Sequence, residues 1–219
     1  MLLGPQAIDK LAVARIAVFG LGGVGGYTVE ALARAGIGAI DVIDNDKVDL
    51  TNINRQILAT HSTVGENKTD VAARRIKDIN PVCNVLTHNL FFSPDTASQI
   101  DFSVYDYVVD AIDTMAGKKQ IVLSAKDAAV PVISSMGTGN KLDATALRLA
   151  DIYDTTVCPL ARRMREICRK SGIEHLKVVF STEKPVKSTG NARVPGSVSF
   201  VPSVAGLIIA GEVIKDLIK

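Results

Sequence analysis

The chain has 219 residues, enough to bury a self-sufficient core in one large domain or two small ones. Hydrophobic residues make up 47% and charged residues 22%, with 17 Gly and 8 Pro, which excludes disorder, collagen and coiled coil. A formal net charge of +2 is too small to advertise nucleic-acid binding by bulk electrostatics, and Cys83, Cys158 and Cys168, an odd count without a C-x-x-C pair, exclude a disulfide framework and a four-cysteine zinc site.

Arg15–Gly20 (RIAVFG) is a β-branched run ending in glycine and predicts the first strand. Gly25–Ala35 is helical, with Val29, Leu32 and Ala33 on one face, and Gly36 and Gly38 stop it. Ala39–Asp44 is the second strand and Asn67–Asn80 the next helix, with Pro81 beyond its end. Cys83–Asn89 and Tyr107–Ile112 are further strands, with a short helix expected over Pro94–Ile100 between them. Ala116–Ala129 is helical and Val132–Met136 a strand. In the second half, Ala146–Ile152 and Leu176–Thr182 read as strands and Cys158–Ser171 as a basic helix. Lys184–Arg193 reads as a flexible polar loop. The uncharged run Val194–Gly211 holds Pro195, Gly196, Pro202, Gly206 and three serines, so it reads as a strand followed by a buried helix and not as a membrane span. That last helix, Val204–Ile218, is apolar on more than one face. Strands separated by helices at this spacing predict an α/β fold of the Rossmann type. Its sheet is mostly parallel with helices on both faces and antiparallel additions in the C-terminal part. No linker divides the chain, so residues 1–219 are expected to form a single domain. No charged n-region with an apolar stretch opens it, and a cytoplasmic setting is the expectation.

The first strand runs into Gly20-Leu-Gly22-Gly23-Val-Gly25, a G-x-G-x-x-G. Gly20 permits the tight turn, Gly22 lets backbone N–H groups approach a phosphate, and Gly25 lets the helix pack on the strand. The phosphate then sits at a helix N-terminus, where free N–H groups and the dipole favour an anion. Asp44 ends the second strand, where a carboxylate can accept two ribose hydroxyls. To this point NAD and ATP fit equally. A pyrophosphate is largely satisfied by helix N–H groups, whereas a triphosphate needs cations as well. Arg55 lies in the loop-like stretch DLTNINRQ with Asn52 and Asn54. Lys68 stands in the first turn of the next helix, against the dipole unless an anion compensates it. Pairing with Glu66 or Asp70 is its plainer explanation. Asp113 follows YVVDAI at the carboxyl end of the sheet, and a carboxylate beside a triphosphate implies Mg²⁺ between them. Asp110, inside that strand, reads as structural.

GLGGVG, IDNDKVDLTNINRQ, VGENK and DAIDT, in that order, resemble the ATP-dependent activating enzymes of the ubiquitin-activating (ThiF/MoeB/HesA-like) superfamily. The resemblance implies that Asp44 holds the ribose, that Asn54, Arg55 and Lys68 contact phosphates, and that Asp113 coordinates Mg²⁺. It implies attack of a carboxylate on the α-phosphate of ATP, giving an acyl-adenylate and pyrophosphate, and a homodimer. CPLARRMREICRKSGI followed by VVFSTEKPV is similar to one branch, the tRNA threonylcarbamoyladenosine dehydratases, which close the activated carboxylate into a ring. Relatives carry an arginine ahead of the first strand that reaches the partner's ATP site. Arg15, which abuts the strand here, is not assigned that role. Two other functions stay open: adenylation of the C-terminus of a ubiquitin-like or sulfur-carrier protein, and an NAD-binding oxidoreductase or nucleotide-sensing module. The latter leaves Arg55 and Lys68 without a purpose.

Cys158 precedes Pro159 and a run of arginines. A thioester role is conceivable there, but a lone cysteine without a base reads as a structural thiol. Arg162, Arg165 and Arg169 fall at i, i+3 and i+7, either a tRNA phosphate patch or a solvated face. His61, His88 and His175 are scattered and carry no assigned role.

Overall fold

The computed structural model describes residues 2–186 and 195–219. Residues 187–193 of the expected polar loop, and Val194, lie outside the described residues. A seven-stranded sheet forms the centre: β1 (Arg15–Phe19), β2 (Ala39–Ile43), β3 (Asn84–His88), β4 (Tyr107–Asp110), β5 (Val132–Ser135), β6 (Leu147–Asp151) and β7 (Lys177–Ser181). Their order is β3-β2-β1-β4-β5-β7-β6, parallel throughout except for β6 against β7. The reversal of strand order beside β1 opens a crevice at the carboxyl ends of β1, β2 and β4, the general ligand position in such sheets.

Alternation along β1 sets the layers. Ile16 and Val18 point to a core shared with α2 (Gly25–Arg34), α3 (Lys68–Ile79) and α6 (Phe200–Ile218). Ala17 and Phe19 point to the other face, where Phe19 packs edge-on against Phe92 and stacks with Phe102, beneath Ile121 and Ala125 of α4 (Met115–Asp127). A third cluster joins Met164 and Cys168 of α5 (Pro159–Lys170) to Val178 and Phe180 of β7.

Three features differ from expectation. The helix α1 (Pro5–Val13) was not read from the sequence, although Pro5 at its first turn and buried Ala7 and Leu11 at i, i+4 mark it. The short helix over Pro94–Ile100 is only a 3-10 turn at Ala97–Gln99. The Thr96 hydroxyl accepts from Ser93 N–H and donates to Phe91 O, and such side-chain bonds compete with helix. Residues 195–199 form no strand, and α6 begins at Phe200. The backbone of Gly196 exchanges bonds with Asn140 instead of a sheet partner.

Arg15 is committed to the fold. Its guanidinium donates to both oxygens of buried Asp41, which also accepts from the Tyr105 hydroxyl. Burial alone would raise the Asp41 pKa, but His88, Arg15 and Tyr105 hold it below the ordinary value.

Candidate active site

The turn after β1 is built as its glycines demand. Gly20 takes φ +87°, and a Cβ there would meet Ala111 O at 2.7 Å. At Gly25 a Cβ would overlap the carbonyl oxygen of Gly20 outright, so helix α2 sits against the turn at a distance only glycine allows. At Gly22 the nearest atom to an added Cβ is Gln56 Nε2 at 4.0 Å. That is open space facing the crevice. The backbone N–H groups of Gly22, Gly23, Val24 and Gly25 find no acceptor among the described residues. The first three line the crevice, and free donors at a helix N-terminus make an anion cradle.

A cavity of about 500 Å³ opens over this turn. Its walls bring together Gly20, Gly22, Gly23, Asp44, Arg55, Lys68 and Asp113, residues spread over more than ninety positions of the chain. The Asp44 carboxylate accepts from Leu21 N–H at 2.6 Å and from Asp46 N–H at 2.8 Å, which fixes its orientation while leaving one lone pair on each oxygen for a ligand hydroxyl. Burial raises its pKa above the usual value, against the pull of Lys68 and these two N–H groups.

Lys68 is buried, and its ammonium lies 2.8 Å from Asp46 Oδ2. Neither of the partners suggested by the sequence holds it: Glu66 pairs with Arg74, and Asp70 accepts from Asn67. The partner comes from the loop after β2, where Lys68 N–H also bonds Asp46 O and clamps the start of α3 to that loop. The Arg55 guanidinium donates to Thr51 O and to Asn54 Oδ1 and meets no carboxylate among the described residues. Its charge is therefore available to an anion in the cavity.

Two of the expected contacts sit elsewhere. Gly25 lies behind the turn and does not line the cavity. Asn54 faces away: its amide donates to Ser197 O and its oxygen accepts from Arg55, so it orients the cation instead of reaching a ligand. Asn52 and Gln56 line the wall in its place, and Gln56 Oε1 is buried without a partner. The signal was available, since Asn52, Arg55 and Gln56 recur at helical spacing, but the 3-10 turn at Leu50–Asn52 that aims them was not.

Asp113 is exposed in the cavity wall. Asp110, in contrast, is fully buried and takes the Lys118 ammonium at 3.0 Å on both oxygens. Lys118 also donates to Ser135 O at 2.7 Å, so this pair braces the ends of β4 and β5 under the cavity floor. No cluster of three metal-ligating side chains occurs among the described residues. The far end of the cavity, missed from the sequence, is walled by Met136–Gly139 after β5, by Leu160 at the start of α5 and by Pro195, while Ser197 and Pro202 close it beside Asn54 and Gly23. Glycines at 137 and 139 directly after a strand, at the carboxyl edge, were the overlooked cue. Cys158 is buried in the third cluster, as a structural thiol is.

The comparisons agree with this geometry. The tRNA threonylcarbamoyladenosine dehydratase of Bacillus subtilis (strain 168) is 42% identical over 233 residues, covering 99% of this chain and 92% of the relative. The dehydratase of the same name from Escherichia coli (strain K12) is 40% identical over 190 residues, covering 83% of this chain and 71% of the relative. Crystal structures of the E. coli enzyme in complex with ATP and with AMP superpose with a TM-score of 0.92 at 36% identity, covering 99% of this chain and 90% of theirs. The sequence profile of the ThiF family matches residues 1–219, and the chain belongs to the ThiF family.

Proposed function

We propose that residues 1–219 act as one adenylation domain that uses ATP to activate the carboxylate of threonylcarbamoyladenosine in tRNA and close it into a ring. The observation that carries this reading is the meeting of Arg55 and Lys68 with the glycine turn and Asp44 in one cavity. A dinucleotide leaves Arg55 without a purpose and Lys68 with none beyond its pair with Asp46, whereas a triphosphate needs both. The open space at Gly22 and the free N–H groups of Gly22, Gly23 and Val24 fit such a ligand. The names of the dehydratase relatives support the acceptor, and their bound ATP and AMP support the nucleotide.

In this reading Asp44 accepts the ribose hydroxyls and the N–H groups of Gly22, Gly23 and Val24 hold phosphate oxygens. Arg55 and Lys68 neutralise charge as the substrate carboxylate attacks the α-phosphorus and the bond to pyrophosphate breaks. Preorganised cations at that position are worth about 3–5 kcal/mol of barrier. Ring closure then expels AMP, which carries away the carboxylate oxygen, so the nucleoside loses the elements of water. Mg²⁺ would be held by Asp113 together with the phosphates, and when bound it spreads the developing charge. A single carboxylate suits an ion that takes most of its ligands from phosphate and water.

We also assign a cytoplasmic homodimer. On α6, Phe200 and Leu207 remain about half exposed, an apolar outer face for a two-fold contact. Light scattering at micromolar concentration tests the dimer, and a monomer there counts against it. Incubation with ATP–Mg²⁺ and tRNA carrying the modified adenosine tests the function through pyrophosphate release and loss of 18 Da from the nucleoside. Pyrophosphate release only with a ubiquitin-like or sulfur-carrier protein would overturn the acceptor. NAD displacing ATP would overturn the nucleotide.

A further inference from the structure

We propose that the outer face of α5 is the track that seats the RNA backbone leading into the active-site cavity; this deepens the tRNA reading above and rests on it. The helix begins at the cavity itself. Leu160, its second residue, is part of the cavity wall, and a Cβ on Gly137 of the opposite loop would lie 3.9 Å from Leu160 Cβ. From there its 12 residues run about 18 Å across the protein. They end where Lys126 donates to Gly172 O beyond the last turn.

The charges on it are unusual for this chain. The helix carries Arg162, Arg163, Arg165, Arg169 and Lys170 against Glu166 alone. Its net of +4 exceeds the +2 of the whole chain, which leaves −2 for everything else. One side of the helix, with Ala161, Met164 and Cys168, is buried in the third core cluster. Arg162, Arg163, Glu166, Arg169 and Lys170 are all exposed and fall within an arc of about 120° on the opposite side.

Arg165 does not share that face. Its guanidinium turns inward onto Thr155 O at 2.9 Å and onto the Thr155 hydroxyl, so the sequence grouping of Arg162, Arg165 and Arg169 gives way to Arg162, Arg163, Arg169 and Lys170. The Arg162–Glu166 contact is long, 3.7 Å, and exposed. Arg169 rests on the Tyr153 ring, 5.5 Å from its centroid, which holds the guanidinium in place while its edges face water. Arg163 and Lys170 make no ion pair among the described residues. No acid occupies the first turn. Cations there oppose the helix dipole, a cost that an external anion offsets. A row of cations starting at the mouth of a nucleotide-modifying cavity matches what a polynucleotide requires: the reacting base enters, and phosphates on its flank bind alongside.

The test replaces Arg163 and Lys170 together, R163Q/K170Q, with K10Q/K77Q as a control removing the same charge elsewhere. Affinity for tRNA bearing the modified adenosine is measured by anisotropy between about 50 and 200 mM salt. We expect R163Q/K170Q to bind about tenfold to thirtyfold more weakly near 100 mM, with the slope of log K against log salt reduced in magnitude by about 1.4–1.8. ATP affinity and melting temperature should match the parent, and the control should match it in every measure. A tRNA affinity within twofold of the parent with an unchanged slope overturns the track and leaves the face to an acidic protein partner. A parent protein that turns over no tRNA substrate with ATP instead removes the function on which the track rests.

Discussion

Alanine at Gly22 and alanine at Gly25 should fail in opposite ways. At position 25 the new methyl would overlap the Gly20 carbonyl, with the carbonyl carbon 2.9 Å away. Both are backbone atoms that no rotamer change can move aside, so α2 or the turn must shift. Overpacking of this kind costs about 3 kcal/mol or more, which in a domain of this size lowers the melting temperature by roughly 6–12 °C. At position 22 nothing lies closer than 4.0 Å, and φ is not positive there. Gly22→Ala should therefore melt within about 2 °C of the parent, since a change without new contacts stays near ±0.5 kcal/mol. Its methyl occupies the space through which a phosphate reaches the N–H groups. Loss of one charge-assisted hydrogen bond, worth about 1.5–3 kcal/mol, weakens ATP about tenfold to 150-fold. Scanning fluorimetry and ATP calorimetry on the two variants read both quantities. A Gly22→Ala protein that binds ATP within twofold of the parent, or a Gly25→Ala protein that melts within a degree of it, would refute the assignment of these two glycines.

Three further predictions concern single groups. Lys68→Met should lower kcat at least about a hundredfold, or about 2.7 kcal/mol, with little change in melting because the partner Asp46 is exposed enough to be hydrated; a loss under about threefold in a pyrophosphate-release assay removes Lys68 from the reaction. Burial would raise the pKa of Asp216, yet Lys177, Lys219 and the Tyr107 hydroxyl together hold it down to about 2. A depressed carboxylate stabilises the fold above its unfolded pKa near 3.8, and that contribution fades as pH falls toward 2, so Asp216→Asn should be less stable than the parent at pH 7 and indistinguishable from it near pH 2 in denaturant titrations; an equal gap at both pH values contradicts the ion-pair account. All three thiols are buried, with Cys168 pushed up to about 11 by desolvation and then by Asp151, and Cys83 raised by burial. Ellman's reagent at pH 8 should titrate them slowly in the native protein and at once in guanidinium, and a fast native thiol would show that one of them is accessible.

The strand and helix alternation was legible because β-branched runs ended in glycine and the helices kept one apolar stripe. The glycine turn was legible for a deeper reason, since each glycine answers a different steric demand that the spacing encodes. What stayed hidden depended on groups distant in sequence. Lys68 finds Asp46 instead of its neighbours Glu66 and Asp70, because the loop after β2 folds over the start of α3. Asn54 and Asn52 are equivalent in the sequence, and only the turn at Leu50–Asn52 decides which faces the cavity. The basic stripe on α5 was visible, but its membership changed because Thr155 captures Arg165 from another loop. The strand expected early in Val194–Gly211 does not form over residues 195–199, because prolines and glycine within an apolar run say nothing of Asn140, which bonds the Gly196 backbone instead.

The cavity borrows a wall from Pro195, Ser197 and Pro202, and α6 lies so close to α2 that the Thr28 hydroxyl donates to Gly206 O across 178 positions. A chain emerging from the ribosome thus has its phosphate turn long before it has the element that completes it. The pocket is complete only once α6 has docked on α2. Nucleotide binding is thereby tied to the docking of a helix that lies nearly two hundred positions from the glycine turn.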